Sequence, residues 1–320
     1  GSEASDLAIR LAFSHTKSNK IMVLENGYHG HTQTGIDISD YKFNAENGQG
    51  KKDYILKVPM PNVYNGKYTK NDGSAGKMYA NDAIKEMKNS ESSVAGFICE
   101  PIIGCAGQVC LPKGYLKAVY SAVRTQGGVC ISDEVQTGFG RLGEAFWGFQ
   151  IHDVIPDIVV IGKPMANGHP IGAVITTNKI AESFNNGVEF FSSFGGNPIS
   201  CAIGLSVLEI IEEEDLQKNA KIVGDYYISL LKSLQNKHKC IGDVRGKGLF
   251  IGIEIVKDNT TYPNKTLANK IKNELRETNI LVGTDGPNGN VLKTKPPLCF
   301  NKENAKMVVT KIDQILTNNK

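Results

Sequence analysis

The stretch GGVCISDEVQTGFGR, residues 127–141, decides how the rest of the chain is read. An apolar run stops on two acids, Asp133 and Glu134, and a glycine-rich turn closing on Arg141 follows. Two other stretches share the pattern: VAGFICE (94–100) runs into Glu100, and DIVVIGK (157–163) runs into Lys163. Short apolar runs of this kind read as buried strands; with IGAVITT (171–177) they alternate with helical spacing at 78–88, 114–126 and 198–212. The alternation predicts an α/β fold on a mainly parallel sheet covered on both faces. Along such a sheet the carboxyl ends of the strands form one edge where ligands bind, so Glu100, Asp133 and Lys163 are expected to converge on one crevice.

Outward from that centre, Ala4, Leu7, Ala8, Leu11 and Ala12 repeat at helical spacing, so the chain opens on a helix. Residues 44–76 are rich in Asn, Gly, Lys and Asp with little periodicity and predict a long surface excursion outside the core. Past the acidic turn EEEDL the texture changes to a helix reaching about 237, and then to DVRGKGLFIGIEIV (243–256), whose alternation suits a half-exposed antiparallel strand. The expected division is a large domain over 1–212 and a smaller C-terminal α+β domain over 213–320.

Composition bounds the function. A chain of 320 residues with 40% apolar content suits two unequal domains better than one core. Its 36 basic and 33 acidic residues are dispersed, and no basic run exists to track a phosphate backbone, which argues against nucleic acid. Seven cysteines without a C-x-x-C pair point to free thiols in a reducing compartment. With no targeting pattern and no apolar run long enough to span a bilayer, the expectation is a cytoplasmic protein without membrane contact. His29 and His31 stand two apart with no third ligand nearby, so no metal site is expected.

A lysine ending a buried strand is costly to desolvate, and a depressed pKa would make Lys163 a carbonyl-attacking amine. Asp133, on a neighbouring strand end, could hold a protonated pyridine nitrogen and keep a pyridoxal phosphate ring an electron sink. On spacing alone Asp133 also reads as the cap of a turn and Lys163 as a surface residue. Gly138, Gly140 and Gly143 fit G-x-G-x-x-G, but EAFWGFQ after them holds no amphipathic helix, so a dinucleotide fold is rejected. GKP at 162–164 lacks the glycine and hydroxyl residue of a phosphate loop of the Walker type.

GSEASDLAIRLA, YHGH (28–31), EPIIG (100–104), SDEVQTGFGR, PDIVVIGKPM and SSFGGNP (192–198) together resemble the class III pyridoxal phosphate (PLP)-dependent aminotransferases of fold type I. The motifs occur in the family's order and cover nearly the whole chain. The resemblance implies that Lys163 forms the Schiff base with PLP and that Asp133 pairs with its ring nitrogen. It places Val135 and Tyr28 on opposite ring faces, Gln136 near the ring hydroxyl, and the backbone of Gly1 and Ser2 around the phosphate, where a helix N-terminus favours an anion. Ser193 would reach that phosphate from the other subunit of a homodimer, and Glu100 would border the cofactor, mostly to shape the site. Read without the resemblance, Ser2 is also an N-cap, Tyr28 and Val135 also core, Glu100 also a structural acceptor; Arg141 braces its loop.

Family membership leaves the reaction open. Members that grip an α-carboxylate carry an arginine three residues before a Pro-Pro pair, where this chain has Lys293 in NVLKTKPPLCF; the acidic partner of that arginine is replaced by Cys105. With both missing, the pattern is similar to the ethanolamine-phosphate and phosphohydroxylysine phospho-lyase branch, the alanine-glyoxylate aminotransferase 2-like proteins. A phosphorylated amine needs a cationic point charge, which lysine supplies. Lys293, and less directly His29, are the substrate candidates; Lys293 reads equally as solvated surface. The implied reaction is elimination of phosphate from a small amine such as phosphoethanolamine, with transamination of an ω-amine or amino acid as the alternative. The family's N-terminal segment is expected to be missing, because the chain opens inside the phosphate-binding motif; a catalytically idle module of a larger fusion is the reading of another class.

Overall fold

The computed structural model describes residues 1–69 and 72–318; Lys70 and Asn71 of the expected excursion, and residues 319–320 of the expected second domain, lie outside the described residues. The strands are β1 (Lys20–Leu24), β2 (Ile55–Val58), β3 (Val94–Cys99), β4 (Ile102–Ile103), β5 (Val109–Cys110), β6 (Val129–Asp133), β7 (Ile158–Ile161), β8 (Ala173–Thr176), β9 (Ile241–Lys247), β10 (Phe250–Ile255), β11 (Gly283–Asp285) and β12 (Val291–Thr294). The helices are α1 (Ser2–Thr16), α2 (Gln33–Asp37), α3 (Asp40–Phe43), α4 (Ser74–Lys88), α5 (Tyr115–Thr125), α6 (Asn178–Phe184), α7 (Pro198–Glu213), α8 (Leu216–Lys237), α9 (Lys265–Glu277) and α10 (Lys302–Asn318).

Two compact units result. The first takes Gly1–Pro101, Leu111–Phe139 and Trp147–Ile211; the second takes Ile102–Cys110, Gly140–Phe146 and the chain from Glu212 onward. The two short segments that go with the second unit are not contained in a linear division at 212/213.

In the first unit the sheet order is β2-β1-β3-β6-β7-β8. All neighbours pair in parallel except β7 and β8, which are antiparallel. Every residue of β3 and β6 is buried, as expected where helices cover both faces of a sheet. On one face α1 contributes Ala4, Ala8, Ile9 and Ala12 to a core with Ile21, Ile98, Ile131 and Val160; small residues repeating every fourth position let the helix lie close. It stops at Lys17, whose left-handed backbone (φ 57°) turns its N–H back to the Phe13 carbonyl. The surface expectation over 44–76 needs correction, since ILKV forms β2, and Ile55 and Val58 are buried in the core beside β1.

The second unit holds an antiparallel sheet in the order β11-β12-β10-β9. DVRGKGLFIGIEIV is not a single half-exposed strand: it folds back at Gly248 (φ 52°) into the β9–β10 pair, and β10 is buried at every position. Alternation survives only on β9, because β10 lies between β9 and β12, with α8, α9 and α10 joining its core and the Gly107–Gln108 backbone against Gly252. Arg245 closes this unit. Its Nε donates to the Gly107 carbonyl at 2.8 Å, while Nη1 and Nη2 reach Asp243 at 3.0 Å and Glu254 at 2.6 Å. Arg245→Met leaves buried Glu254 without its counter-charge and is expected to cost roughly 3 kcal/mol. An unchanged urea-unfolding midpoint for the second unit would contradict this assignment.

Candidate active site

The carboxyl ends of β1, β3, β6 and β7 open onto a cleft of about 230 Å³, lined by Gly1, Ser2, Ser5, Tyr28, His29, Gly30, Glu100, Asp133, Val135, Gln136 and Lys163. The three ionisable strand ends expected to converge do so. Adjacent parallel strands put them there: Glu100 directly follows β3, Asp133 ends β6, and Lys163 lies two residues beyond β7.

Asp133 is 4% exposed, and both of its carboxylate oxygens are engaged. Oδ1 accepts the Val135 N–H at 3.1 Å, and Oδ2 faces His29 Nδ1 at 2.8 Å. His29 is 2% exposed and its Nε2 is buried without a partner among the described residues, so the tautomer that satisfies this arrangement carries its proton on Nδ1 and donates to Asp133. His29, the substrate candidate, thus lines the cleft with its ring held against the neighbouring acid. His31, two residues on, is exposed, which separates the two histidines. Among the described residues no group of three or more His, Cys, Asp or Glu is gathered for a metal.

Glu134 points into a different set of donors. Thr137 Oγ1 (2.7 Å), Ser132 Oγ (3.1 Å) and the N–H groups of Gly148 (2.8 Å) and Phe149 (2.8 Å) all donate to it. Burial raises its pKa, and these donors oppose the rise. This carboxylate fastens the loop after β6 to the turn at Gly148–His152, which the sequence signalled only as the second acid of the DE pair.

Glu100 is 3% exposed; its Oε1 accepts the Tyr28 N–H at 3.3 Å and its Oε2 the Gln136 side-chain amide at 3.5 Å. It holds two cleft residues from different loops, as a shaping residue would. Burial, then the charges of Glu100 and Asp133, push the Cys99 thiol well above its ordinary value, which removes it as a nucleophile.

The N-terminus of α1 sits in a cradle of glycines. A Cβ on Gly162 would lie 2.9 Å from the Gly1 Cα, one on Gly1 2.9 Å from Val135 Cγ1, and one on Gly30 (φ 135°) 2.9 Å from the Ser2 Cα. The close approach brings Val135 and the His31 N–H, which donates to Ser2 Oγ at 3.0 Å, against the helix start. No side chain caps this helix, so its N-terminal N–H groups stay available to an anion.

Lys163 departs from one expectation. It is the first residue of a 3₁₀ turn, Lys163–Ala166, and is exposed, so the strand does not bury its amine within this chain. Ser193 is likewise exposed and does not line the cleft. Lys293 belongs to β12 of the second unit, where its Nζ lies 2.9 Å from Asp285 Oδ1 and its charge is already paired. Arg141 braces its loop, donating through Nη1 to the carbonyls of Leu249 (3.0 Å) and Pro296 (2.8 Å). The glycines of GFGRLG open no nucleotide-binding helix: Gly143 (φ 73°) packs where a Cβ would lie 2.4 Å from the Lys221 nitrogen. Ser5 and Gly30 are cleft residues that sequence reasoning missed; neither stood out of its motif.

Comparison with known proteins matches residues 1–316 to the family model described as aminotransferase class-III. An alanine–glyoxylate aminotransferase 2-like protein of Drosophila melanogaster is 49% identical over 315 residues, covering 95% of this chain and 64% of that protein. An ethanolamine-phosphate phospho-lyase homolog 1 of Caenorhabditis elegans is 43% identical, covering 99% of this chain and 71% of that one. The chain therefore spans roughly two-thirds of the length of these relatives. A solved phospholyase from Arthrobacter in complex with phosphoethanolamine superposes with a TM-score of 0.92 at 36% identity, over 99% of this chain and 75% of that one. The mainly parallel sheet is thus that of fold type I.

His29→Leu removes the donor from Asp133 and is expected to lower stability by about 2 kcal/mol, whereas His29→Asn, which keeps an N–H near the same place, should lose less. Thermal unfolding of the three proteins side by side checks the order; equal losses would mean that the contact contributes nothing.

Proposed function

We propose, from the premise that this chain belongs to the class-III aminotransferase family, that it forms the catalytic part of a PLP enzyme that eliminates phosphate from a small phosphorylated amine such as phosphoethanolamine. The observation that carries the proposal is the cleft itself, in which a buried carboxylate, a reachable lysine and an uncapped helix N-terminus face one cavity. These residues fit PLP: the bare backbones of Gly1, Gly30 and Gly162 let the uncapped start of α1 pack closely against Val135 at the cleft, where its N–H groups can receive a phosphate. The choice of a phosphorylated amine is supported by the likeness to the phosphoethanolamine-bound phospholyase and by Lys293 standing where carboxylate-binding members carry arginine.

When bound, PLP supplies an aldehyde that condenses with primary amines and a pyridine ring that takes up electrons. Asp133 would hold the ring nitrogen, its carboxylate oriented by the contact with His29. The N–H groups of α1 at Gly1 and Ser2 would take the cofactor phosphate, with Val135 and Tyr28 on the ring faces and Gln136 and Glu100 at its border. Lys163 Nζ, on the rim, would condense with the PLP aldehyde and serve as the base for the carbon bearing the substrate amine. Overall, amine and water give an aldehyde, ammonia and inorganic phosphate.

A homodimer completes this reading. Phe191 is 74% exposed, Phe194 82% and Ile199 71%, and α7 continues the apolar surface through Leu205 and Leu208. A second copy covering that surface would bury it, deliver Ser193 to the partner's cleft, and dry the exposed Lys163. Lys293, paired with Asp285, is the candidate cation for the substrate phosphate. The seven free cysteines support a reducing compartment such as the cytoplasm, and among the described residues no helix is long and apolar enough to cross a membrane.

Phosphate release from phosphoethanolamine, measured with PLP added, tests the reaction; Lys163→Ala is expected to abolish it and Asp133→Ala to reduce it by at least about a hundredfold. Amino transfer to a keto acid without phosphate release would favour the transaminase alternative, and no cofactor absorbance at all would favour an idle module. For the dimer, Phe191→Asp combined with Ile199→Asp should shift the chain to a monomer in sedimentation; an unchanged mass would exclude this face.

A further inference from the structure

The first turn of α1 carries a polar atom that nothing in the chain satisfies. Ser5 is 1% exposed, lines the same cleft as Gly1 and Ser2, and its Oγ has no hydrogen-bond partner among the described residues. A buried hydroxyl without a partner is costly, so an orphan facing a cleft marks the place where a ligand atom completes its shell.

Position fixes what that ligand atom is. The Ser5 N–H donates to the Gly1 carbonyl at 2.8 Å, which puts Ser5 one turn along from Gly1 on the same helix face, beside the free N–H groups of the helix start. These groups and the helix dipole favour an anion there. Neither acid of the cleft takes the hydroxyl: Asp133 is held by Val135 and His29, Glu100 by Tyr28 and Gln136, and Ser5 Oγ bonds to none of the described residues. Ser2 differs, because its Oγ already accepts the His31 N–H. Ser5 is left with its proton and both lone pairs unused.

We propose that Ser5 is a phosphate-binding residue, donating its Oγ–H to a phosphate oxygen of the cofactor beside the N-terminal N–H groups of α1. The inference rests on the PLP reading above and adds a side-chain ligand to a site otherwise built from backbone.

The test is the affinity of the cofactor-free chain and of Ser5→Ala for PLP and for pyridoxal, which lacks the phosphate, measured by spectroscopic titration. Ser5→Ala is expected to weaken PLP about tenfold, the size of a hydrogen bond to a charged group, and to change pyridoxal by less than about twofold. Its ligand-free melting temperature should hold or rise, because a buried orphan hydroxyl is gone and alanine favours helix. Equal losses for both ligands would assign the hydroxyl to the ring, and no loss for either would leave it to a buried water; each result overturns the proposal. If the parent chain binds PLP no more tightly than pyridoxal, the cofactor reading falls and takes this one with it, a result distinct from failure in the variant alone.

Discussion

A carboxylate at the end of a buried strand must be compensated, and the pairing of Asp133 with His29 is the compensation on which the cleft depends. It joins the loop after β1 to the end of β6, two strands that are separated by β3 in the sheet. The histidine can do this because it follows Tyr28 in a loop held from below by Glu100, whose carboxylate accepts the Tyr28 N–H. Remove the imidazole and Asp133 Oδ2 would keep no side-chain donor, leaving the Val135 N–H on Oδ1 to hold the carboxylate in place.

Consecutive acids with opposite duties make the architecture economical. Because side chains alternate along a strand, Asp133 and Glu134 leave β6 in different directions. One faces the cleft, and the other gathers donors from Ser132, Thr137, Gly148 and Phe149 and fixes the loop that carries Val135 and Gln136. The cleft-facing acid is therefore held by its neighbour's structural work as well as by its own partners. The same division of labour separates Glu100, a binder of loops, from Lys163, which stands exposed at the rim.

Much of this was legible in the sequence, for a physical reason. Apolar strands ending in ionisable residues are rare without function, and parallel topology forces their ends together, so Glu100, Asp133 and Lys163 could be assigned to one edge from pattern alone. Short polar-flanked strands were harder. ILKV hides β2 inside a polar stretch, and the β9–β10 turn at Gly248 splits one apparent strand into two. The exposure of Lys163 was illegible because a 3₁₀ turn, not the strand, decides its surroundings. Nor could spacing show that Asp285 would claim Lys293, or that Ser5 would face the cleft with nothing to bond.

The chain passes between its two compact units five times, because Ile102–Cys110 and Gly140–Phe146 leave the first unit for the second long before Glu212. Arg245 and Gly143 show what these early segments wait for: Gly107 is held by a residue of β9, and Gly143 packs on α8. During synthesis both segments emerge from the ribosome well ahead of their partners. The second unit cannot close while the first is being made, so the nascent chain must carry two unpaired loops through the translation of a further hundred or so residues, the interval in which a chaperone would find most to hold.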